Sequence, residues 1–227
     1  MQLSVHSAHA CTLYSSKVRC FGDNDSGQLG TSPNSIENSS TPRELPIPTT
    51  ATPIKVVAGT DFTCILADNG RVYCVGKNDK KQLGDRTTTN RYSPVQVKRT
   101  SSSILTGVKD IVAGTSHSCA IYGSSDKIYC WGSDSNNKLG WNGTSGVKLM
   151  ALTNGSTCIV PEANPSVVMC KGTTSWMNKT YQMSKSITKL ASASQHFCAL
   201  RDDGRAKCVG QNSYGQLGTG TTTSDYG

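Results

Sequence analysis

The chain has 227 residues, of which 35% are hydrophobic and 17% are charged, and it contains 22 glycines and 10 cysteines. Its formal net charge is +8 and its pI is about 9.0. No apolar run approaches the roughly 20 residues that a membrane-spanning helix needs. The first 20 residues lack the basic start and apolar stretch of a signal peptide. The sequence therefore excludes a helical span within its length and favours a folded chain with a substantial core.

One pattern recurs along the chain: two cysteines around a short polar turn, followed by a glycine-punctuated tail. It reads CTLYSSKVRCFGDNDSGQLG from Cys11, CILADNGRVYCVGKNDKKQLG from Cys64, CAIYGSSDKIYCWGSDSNNKLG from Cys119, CIVPEANPSVVMCKGTTSW from Cys158 and CALRDDGRAKCVGQNSYGQLG from Cys198. The steps between these first cysteines are 53, 55, 39 and 40 residues, so the unit is about 40 residues long and two units carry inserted loops.

The spacing predicts a single domain over 1–227. We expect its repeats at 1–52, 53–107, 108–146, 147–186 and 187–227, of which the fourth is divergent and the last lacks its final strand.

The second repeat predicts four short strands. Apolar, β-branched segments at 54–59, 62–66 and 71–76 are followed, after a long loop, by an extended segment at 93–97. Asn69-Gly70 stands between the second and third segments, and Asn-Gly between apolar runs is a strong hairpin signal.

Period-2 alternation assigns the faces of this predicted hairpin. Cys64 and Leu66 share one face with Val72 and Cys74, while Ile65, Tyr73 and Val75 lie on the other. Both faces are largely apolar, as expected for a sheet packed between neighbours. An all-β chain with a four-stranded sheet repeated about every 40 residues predicts a β-propeller, in which each sheet is a blade.

Two segments carry a family resemblance. VVAGTDFTCIL…NGRVYCVGKN…QLG and IVAGTSHSCAI…KIYCWGSDSNNKLG resemble the repeats of the regulator of chromosome condensation family, which also includes the propeller-type β-lactamase inhibitor protein. The resemblance runs from Leu3 to Gly220 and implies a seven-bladed β-propeller. The fourth repeat departs from the family pattern at three places. Thr153 stands where the family repeat has a glycine, Ser156 stands where it has a histidine, and Met177-Asn178 stand where it has Leu-Gly.

The five repeats predict an incomplete ring. The last repeat stops where the second continues into an extended segment, and an open sheet edge invites pairing with other chains. We expect part of a six- or seven-bladed propeller. The alternative is a genuine five-bladed ring with divergent closure.

The cysteines are expected to pair within each repeat. Each repeat has two, with 8, 9, 10, 11 and 9 residues between them, and the turn can absorb this variation. The two cysteines then face each other across a hairpin at a separation close to that of a disulfide. The predicted disulfides are Cys11–Cys20, Cys64–Cys74, Cys119–Cys130, Cys158–Cys170 and Cys198–Cys208. Five such bonds favour an oxidising compartment.

Zinc is the alternative role for the cysteines. His9, His117 and His196 each stand two residues before a first cysteine, which places a Cys₂His set on one hairpin face. Phe62 and Ser156 replace the histidine in the other two repeats, and both repeats keep both cysteines. The pair therefore does not depend on the histidine, and we expect no metal. The family resemblance assigns the histidine a buried hydrogen bond between strands.

No catalytic constellation is visible. The sequence has neither a Gly-x-Ser-x-Gly nucleophile elbow nor a Gly-x₄-Gly-Lys phosphate loop. We expect no enzyme activity, no catalytic residue and no cofactor.

The positive charge is concentrated around the loop of the second repeat. This segment predicts a surface for an acidic protein, a polyanionic glycan or membrane headgroups, and the alternative is an ordinary solvated loop. Nucleic acid is disfavoured because no aromatic stacking platform accompanies the charges. The candidate residues are Lys77, Lys80, Lys81, Arg86, Arg91, Lys98 and Arg99.

Two functional hypotheses follow, with a third by resemblance. The first is a non-enzymatic interaction module, extracellular or on the cell surface, that binds an unidentified macromolecule, which we expect to be a protein. The second, by family analogy, is a nuclear or cytosolic nucleotide-exchange regulator of a small GTPase with chromatin attachment. The third is an enzyme inhibitor. Five Asn-x-Ser/Thr sequons, at Asn24, Asn38, Asn142, Asn154 and Asn178, matter only in a eukaryotic secretory pathway.

Overall fold

The computed structural model describes residues 1–135, 137–172 and 177–227. Within these ranges the chain is built of antiparallel strands, as predicted, and no helix is long and apolar enough to cross a membrane. The strands are β1 (Gln2–His6), β2 (His9–Tyr14), β3 (Lys17–Asp23), β4 (Asn38–Glu44), β5 (Pro53–Ala58), β6 (Phe62–Ala67), β7 (Val72–Gly76), β8 (Arg91–Gln96), β9 (Val108–Ala113), β10 (His117–Tyr122), β11 (Lys127–Gly132), β12 (Val147–Leu152), β13 (Ser156–Pro161), β14 (Val167–Gly172), β15 (Thr180–Gln182), β16 (Ile187–Ser192), β17 (His196–Arg201) and β18 (Ala206–Gly210).

The strands of each repeat pair in chain order. In the described residues, sheet 1 is β1-β2-β3-β4, sheet 2 is β5-β6-β7-β8, sheet 3 is β9-β10-β11, sheet 4 is β12-β13-β14-β15 and sheet 5 is β16-β17-β18. In the two sheets with three strands, a short segment takes the fourth position. Gly143 and Thr144 exchange backbone hydrogen bonds with Ile128 of β11, and Asp225 forms an isolated bridge with Gly210 of β18.

The second repeat folds as its sequence pattern predicts. The four strands begin and end within about two residues of the predicted segments. Gly70 closes the hairpin at φ +68°, a left-handed conformation that favours glycine, and its N–H donates to the Ala67 carbonyl. The register pairs Cys64 with Cys74 and Leu66 with Val72, which confirms the predicted faces.

The first compact unit comprises Met1–Gly123 and Cys130–Ser133. In it, sheets 1 and 2 bury a shared core of Cys11, Leu13, Val18, Cys20, Leu29, Leu45, Val56, Ile65 and Val75. The side chain of Gln2 on β1 accepts from the Val56 N–H and donates to the Val56 carbonyl, both at 3.0 Å. A side chain of sheet 1 therefore supplies hydrogen bonds to the backbone of β5, the edge strand of sheet 2.

The second compact unit comprises Ser124–Tyr129 and Asp134–Gly227, so the chain passes from one unit to the other within β11. Its core is built from sheets 4 and 5 and contains Cys158, Val160, Val168, Cys170, Tyr181, Met183, Ile187, Phe197, Ala199 and Val209. The rings of Tyr181 and Phe197 pack edge to face with their centroids 5.3 Å apart.

Candidate interaction site: the loops that follow the cystine hairpins

Each hairpin is crossed by one disulfide. The bonds are Cys11–Cys20, Cys64–Cys74, Cys119–Cys130, Cys158–Cys170 and Cys198–Cys208, the same pairs that the repeats predict. The Cα atoms of each pair lie 4.0–4.1 Å apart, the close approach of directly opposed residues. Cys198 and Cys208 are half-buried, whereas the cysteines of the other four pairs are at most 4% exposed.

The signature histidine joins neighbouring sheets. His9 Nε2 lies 3.0 Å from Thr63 Oγ1, and Thr63 Oγ1 donates to the Gln28 carbonyl at 2.9 Å. Because the threonine proton is used on that carbonyl, His9 Nε2 must donate to the threonine oxygen. Burial lowers the pKa of His9 to about 4, so the ring is neutral near pH 7.

The zinc alternative conflicts with the pairing of the cysteines. The cysteine sulfurs are joined in disulfides. Among the described residues, no group of three or more His, Cys, Asp or Glu side chains is arranged to hold a metal ion.

Buried asparagines organise the loops after the hairpins, a role that sequence reasoning missed. We call the segments 24–37, 77–90 and 211–224 the exit loops, because each leaves the last strand of a cystine hairpin. In the second, the Asn78 carboxamide accepts the Leu83 N–H at 3.0 Å and donates to the carbonyls of Thr87 and Thr89 at 3.1 and 3.0 Å.

A buried asparagine holds the first and third exit loops in the same way. Asn24 and Asn212 are, like Asn78, fully buried, and each accepts the N–H of the leucine five residues later. The sequence signal for this role is a Gly-x-Asn triplet that ends at Asn24, Asn78 and Asn212.

An ion pair fixes the second exit loop further. Arg91 Nε donates to Asp85 Oδ2 at 2.8 Å, and Asp85 is 5% exposed. Burial acts to raise the pKa of Asp85, but hydrogen bonds from Thr87, Asn78 and Arg91 outweigh it and hold that pKa below its usual value. Arg91 is therefore part of the loop's internal structure.

The structure divides the predicted cationic surface into separate groups. Lys77 pairs with Asp61 at 3.1 Å, in addition to the Arg91–Asp85 pair. Lys80 and Lys81 are exposed at the tip of the loop. Lys80 Nζ lies 3.8 Å from Asp79 Oδ2. This ion pair is exposed to solvent and therefore contributes little.

The remaining three cations lie around the segment that follows β8. Arg86 donates to the Arg99 carbonyl, and the Arg99 guanidinium lies 6.0 Å from the centroid of the Tyr122 ring. The Lys98 N–H donates to the Gly84 carbonyl at 2.9 Å. Within the second exit loop, Lys80 and Lys81 thus form the exposed cationic tip.

The tips of the three exit loops differ although their frames agree. The residue two positions after the buried asparagine is Ser26, Lys80 or Tyr214, and in each case its N–H donates to the glutamine two residues later. Tyr214 is 92% exposed. A constant frame thus presents variable side chains.

Two sequence profiles match the chain, both described as the regulator of chromosome condensation (RCC1) repeat. One matches residues 17–66 and 69–121, and the other matches 54–82, 108–138 and 187–216. The chain belongs to the RCC1 repeat family. The matched segments include the first two exit loops and three of the hairpins, those of Cys64–Cys74, Cys119–Cys130 and Cys198–Cys208.

Named relatives agree with this assignment. The chain is 31% identical to the human probable E3 ubiquitin-protein ligase HERC4 over 149 residues, which is 65% of this chain and 14% of HERC4. It is 25% identical to the mouse regulator of chromosome condensation over 201 residues, 88% of this chain and 40% of the relative. The chain thus spans less than half the length of either relative.

Solved structures share the RCC1-type β-propeller fold. Human WBSCR16 matches with a TM-score of 0.83 and 18% identity, over 100% of this chain and 65% of that chain. Prp20p from Saccharomyces cerevisiae matches with a TM-score of 0.76 and 20% identity, over 92% and 56%. The CRINKLY WD40 ectodomain of the Arabidopsis thaliana receptor kinase ACR4 matches with a TM-score of 0.64 and 17% identity, over 93% and 65%.

Proposed function

We propose that this RCC1-repeat chain is a non-enzymatic protein-interaction module whose exit loops contact the partner. The observation that carries the proposal is the contrast within these loops. Asn24, Asn78 and Asn212 hold one frame, while the tips carry different side chains, of which Lys80, Lys81 and Tyr214 are exposed. Loops held by a rigid scaffold are where binding residues concentrate. The relative HERC4 is named a ligase, but the chain spans only 14% of it, so that activity is not transferred.

We place the module in an oxidising compartment, outside the cell or on its surface. Support comes from the five cystine hairpins and from the ACR4 neighbour, which is an ectodomain. The test is intact mass of the native protein, alkylated before and after reduction. We expect no alkylated cysteine before reduction and ten afterwards. Ten alkylated cysteines before reduction would contradict this location.

The second exit loop makes an acidic protein the favoured partner. Lys80 and Lys81 are exposed at its tip, whereas Lys77 and Arg91 are paired with carboxylates. Two exposed lysines on a fixed loop attract a negatively charged surface and make the binding sensitive to salt.

The binding test transplants the tip of the first exit loop onto the second. Lys80→Ser with Lys81→Gly reproduces Ser26-Gly27, and glycine fits because Lys81 has φ +63° and Gly27 has φ +83°. We expect several-fold weaker, less salt-dependent binding of a polyglutamate peptide. The matched control replaces two exposed lysines elsewhere, Lys148→Ser with Lys189→Ser, and retains binding. An equal loss of peptide binding in both variants would assign the attraction to net charge. Binding of heparin or anionic vesicles in place of the peptide would change the class of partner.

The second candidate is regulation of a small GTPase. It is favoured by the neighbour Prp20p, whose structure is reported with its binding properties to Gsp1p and histones. Release of a fluorescent guanine nucleotide from a panel of small GTPases tests it. Acceleration by the chain at catalytic amounts would establish exchange activity, and unchanged release across the panel would reject it.

A further inference from the structure

One of the five disulfides lies at the surface. Cys198 and Cys208 are half-buried, whereas each of the other eight cysteines is at most 4% exposed. Phe197, Ala199 and Val209 alternate with this pair along β17 and β18 and are at most 1% exposed, in the core of the second unit. The two faces of this hairpin therefore differ, because one is packed and the other presents its disulfide to solvent.

The same disulfide lies beside a sheet edge. In sheets 1 and 2 the second cysteine of the hairpin pairs with a residue of the fourth strand, Arg43 in one and Val95 in the other. In the described part of sheet 5, β18 meets a further segment only in the bridge between Gly210 and Asp225. Cys208 lies two residues before that bridge, so β17 alone flanks it. Solvent therefore reaches the disulfide from an open face, and the backbone beside it is held from one side.

Exposure decides how readily a disulfide is reduced. A reducing thiolate must reach one of the two sulfur atoms, so exposed disulfides are the labile ones and buried disulfides resist exchange. We propose that Cys198–Cys208 is a redox-active site that a dithiol reductant opens while the other four disulfides stay closed. This inference goes beyond the proposed function and shares with it only the cystine hairpins.

The reaction is a thiol–disulfide exchange. One thiolate of the dithiol attacks Sγ of a cysteine, a mixed disulfide forms, and the Cys198–Cys208 bond breaks with the other sulfur leaving as a thiolate. The second thiol of the reductant then attacks the mixed disulfide, closes a disulfide within the reductant and releases the second cysteine. Two electrons pass from the dithiol, which is oxidised, to the cystine, which is reduced, and the two protons of the dithiol end on the cysteine thiols.

The third exit loop begins three residues after Cys208. At its root the backbones of Gly210 and Asp225 exchange N–H to carbonyl bonds of 2.6 and 3.1 Å. Inside the loop, Asn212 Oδ1 accepts the Leu217 N–H at 2.8 Å. The disulfide is the covalent link that holds the strand leading into this loop against β17. Reduction therefore loosens the root of the third exit loop.

The site acts on one loop of the module. Tyr214, 92% exposed at the tip of the third exit loop, is presented by a fixed frame in the oxidised chain and by a loosened one after reduction. Lys80 and Lys81 follow a hairpin whose cysteines are 0% exposed. A reductant therefore changes the third exit loop and leaves the cationic tip of the second as it was.

The first measurement follows the reduction of the oxidised full chain by dithiothreitol without denaturant. Samples are quenched over time with an alkylating reagent, and peptide maps identify the labelled cysteines. We expect Cys198 and Cys208 to be labelled at least about tenfold faster than any other pair, because the other pairs react only after their sheets open. Faster labelling of another pair, or labelling of all ten cysteines at one rate, would overturn the proposal.

The second measurement is hydrogen exchange of the chain held in reductant with only Cys198–Cys208 open. We expect faster exchange in peptides that contain Leu217. Exchange should be unchanged around Leu29 and Leu83, the corresponding leucines of the first and second exit loops, which serve as the matched control. Cys198→Ala with Cys208→Ala should reproduce the result without reductant. Unchanged exchange at Leu217, or faster exchange in all three loops, would contradict control of this loop by its disulfide.

The redox site and the proposed function fail separately. Polyglutamate binding through Lys80 and Lys81 is measured on the oxidised chain and does not involve the third exit loop. The order of reduction is also measured on oxidised protein, so its outcome does not depend on the native compartment. Loss of either result therefore leaves the other standing.

Discussion

The third and fourth repeats reach a preceding loop with different side chains at one repeat position. In the third, Trp131 Nε1 donates to the Gln82 carbonyl at 2.9 Å. In the fourth, Lys171 Nζ donates to the Gly140 carbonyl at 2.7 Å. Each residue directly follows the second cysteine of its hairpin. An indole and an ammonium group thus donate to a preceding loop from the same repeat position, which Phe21, Val75 and Val209 occupy without a side-chain donor in the other three repeats.

The indole that packs in the fourth repeat comes from a different position in the chain. Trp141, which directly follows Gly140, is 6% exposed and donates from Nε1 to the Thr157 carbonyl at 3.0 Å. Lys171 Nζ lies 4.3 Å from the centroid of the Trp141 ring. The apolar volume that the third repeat supplies from its strand is supplied here from the preceding loop. Lys171 and Trp141 thus lie in contact in the fourth repeat, and we expect their contributions to stability to be coupled.

The largest expected effect comes from removing the indole of the third repeat. Trp131 is 5% exposed, and its ring packs beside Gly84. Trp131→Ala creates a cavity and leaves the Gln82 carbonyl without the indole donor, so we expect a loss of about 3–5 kcal/mol in the free energy of unfolding. Urea unfolding of the oxidised protein measures it. Trp131→Phe keeps most of the ring and should lose about 1 kcal/mol, and an equal loss in both variants would contradict the cavity argument.

A second position at which the repeats differ predicts a pH dependence. His9 has a pKa of about 4 in the folded protein because it is buried, against 6.5 when unfolded. The unfolded chain therefore binds the proton first, so the contribution of His9 to the free energy of unfolding is constant above about pH 7 and falls between pH 6.5 and 4. The expected fall is about 3 kcal/mol, from roughly 1.4 kcal/mol for each pKa unit.

The test of this dependence uses the residue of the second repeat. Phe62 occupies the position of His9 and is 0% exposed. His9→Phe should flatten the fall between pH 6.5 and 4 while His6, whose pKa is also lowered by burial, keeps a smaller one. Thermal unfolding across this pH range measures the slopes. A slope unchanged by His9→Phe would assign the dependence to other groups.

The hairpins were predictable from sequence because their determinants are local. Strand alternation around Asn69-Gly70 sets the register, and the register brings Cys64 opposite Cys74. The same reasoning applies in every repeat, since the turn absorbs the difference in spacing.

The exit loops were not predictable, because their bonds depend on how the chain returns. Asn78 reaches Thr87 and Thr89, which lie nine and eleven residues later, and a pattern of residue types does not encode that closure. The number of cations in the sequence also did not reveal which of them form ion pairs with carboxylates. Asp61 lies in another turn, and its pairing with Lys77 requires the assembled sheet.

The smallest expected effect measures the coupling within the fourth repeat. Lys171→Met keeps the apolar stem but removes the ammonium group from the Gly140 carbonyl and the Trp141 ring, so we expect a loss of about 1–2 kcal/mol. Combining it with Trp141→Leu completes a double-mutant cycle by urea unfolding, in which we expect a coupling energy of about 0.5–1 kcal/mol. Gln2→Ala, whose amide bonds to Val56 in the first unit, should add to either variant without coupling. Additive losses for Lys171 and Trp141 would mean that the two substitutions of the fourth repeat are independent, and that its lysine replaces the indole of the third repeat only as a hydrogen-bond donor.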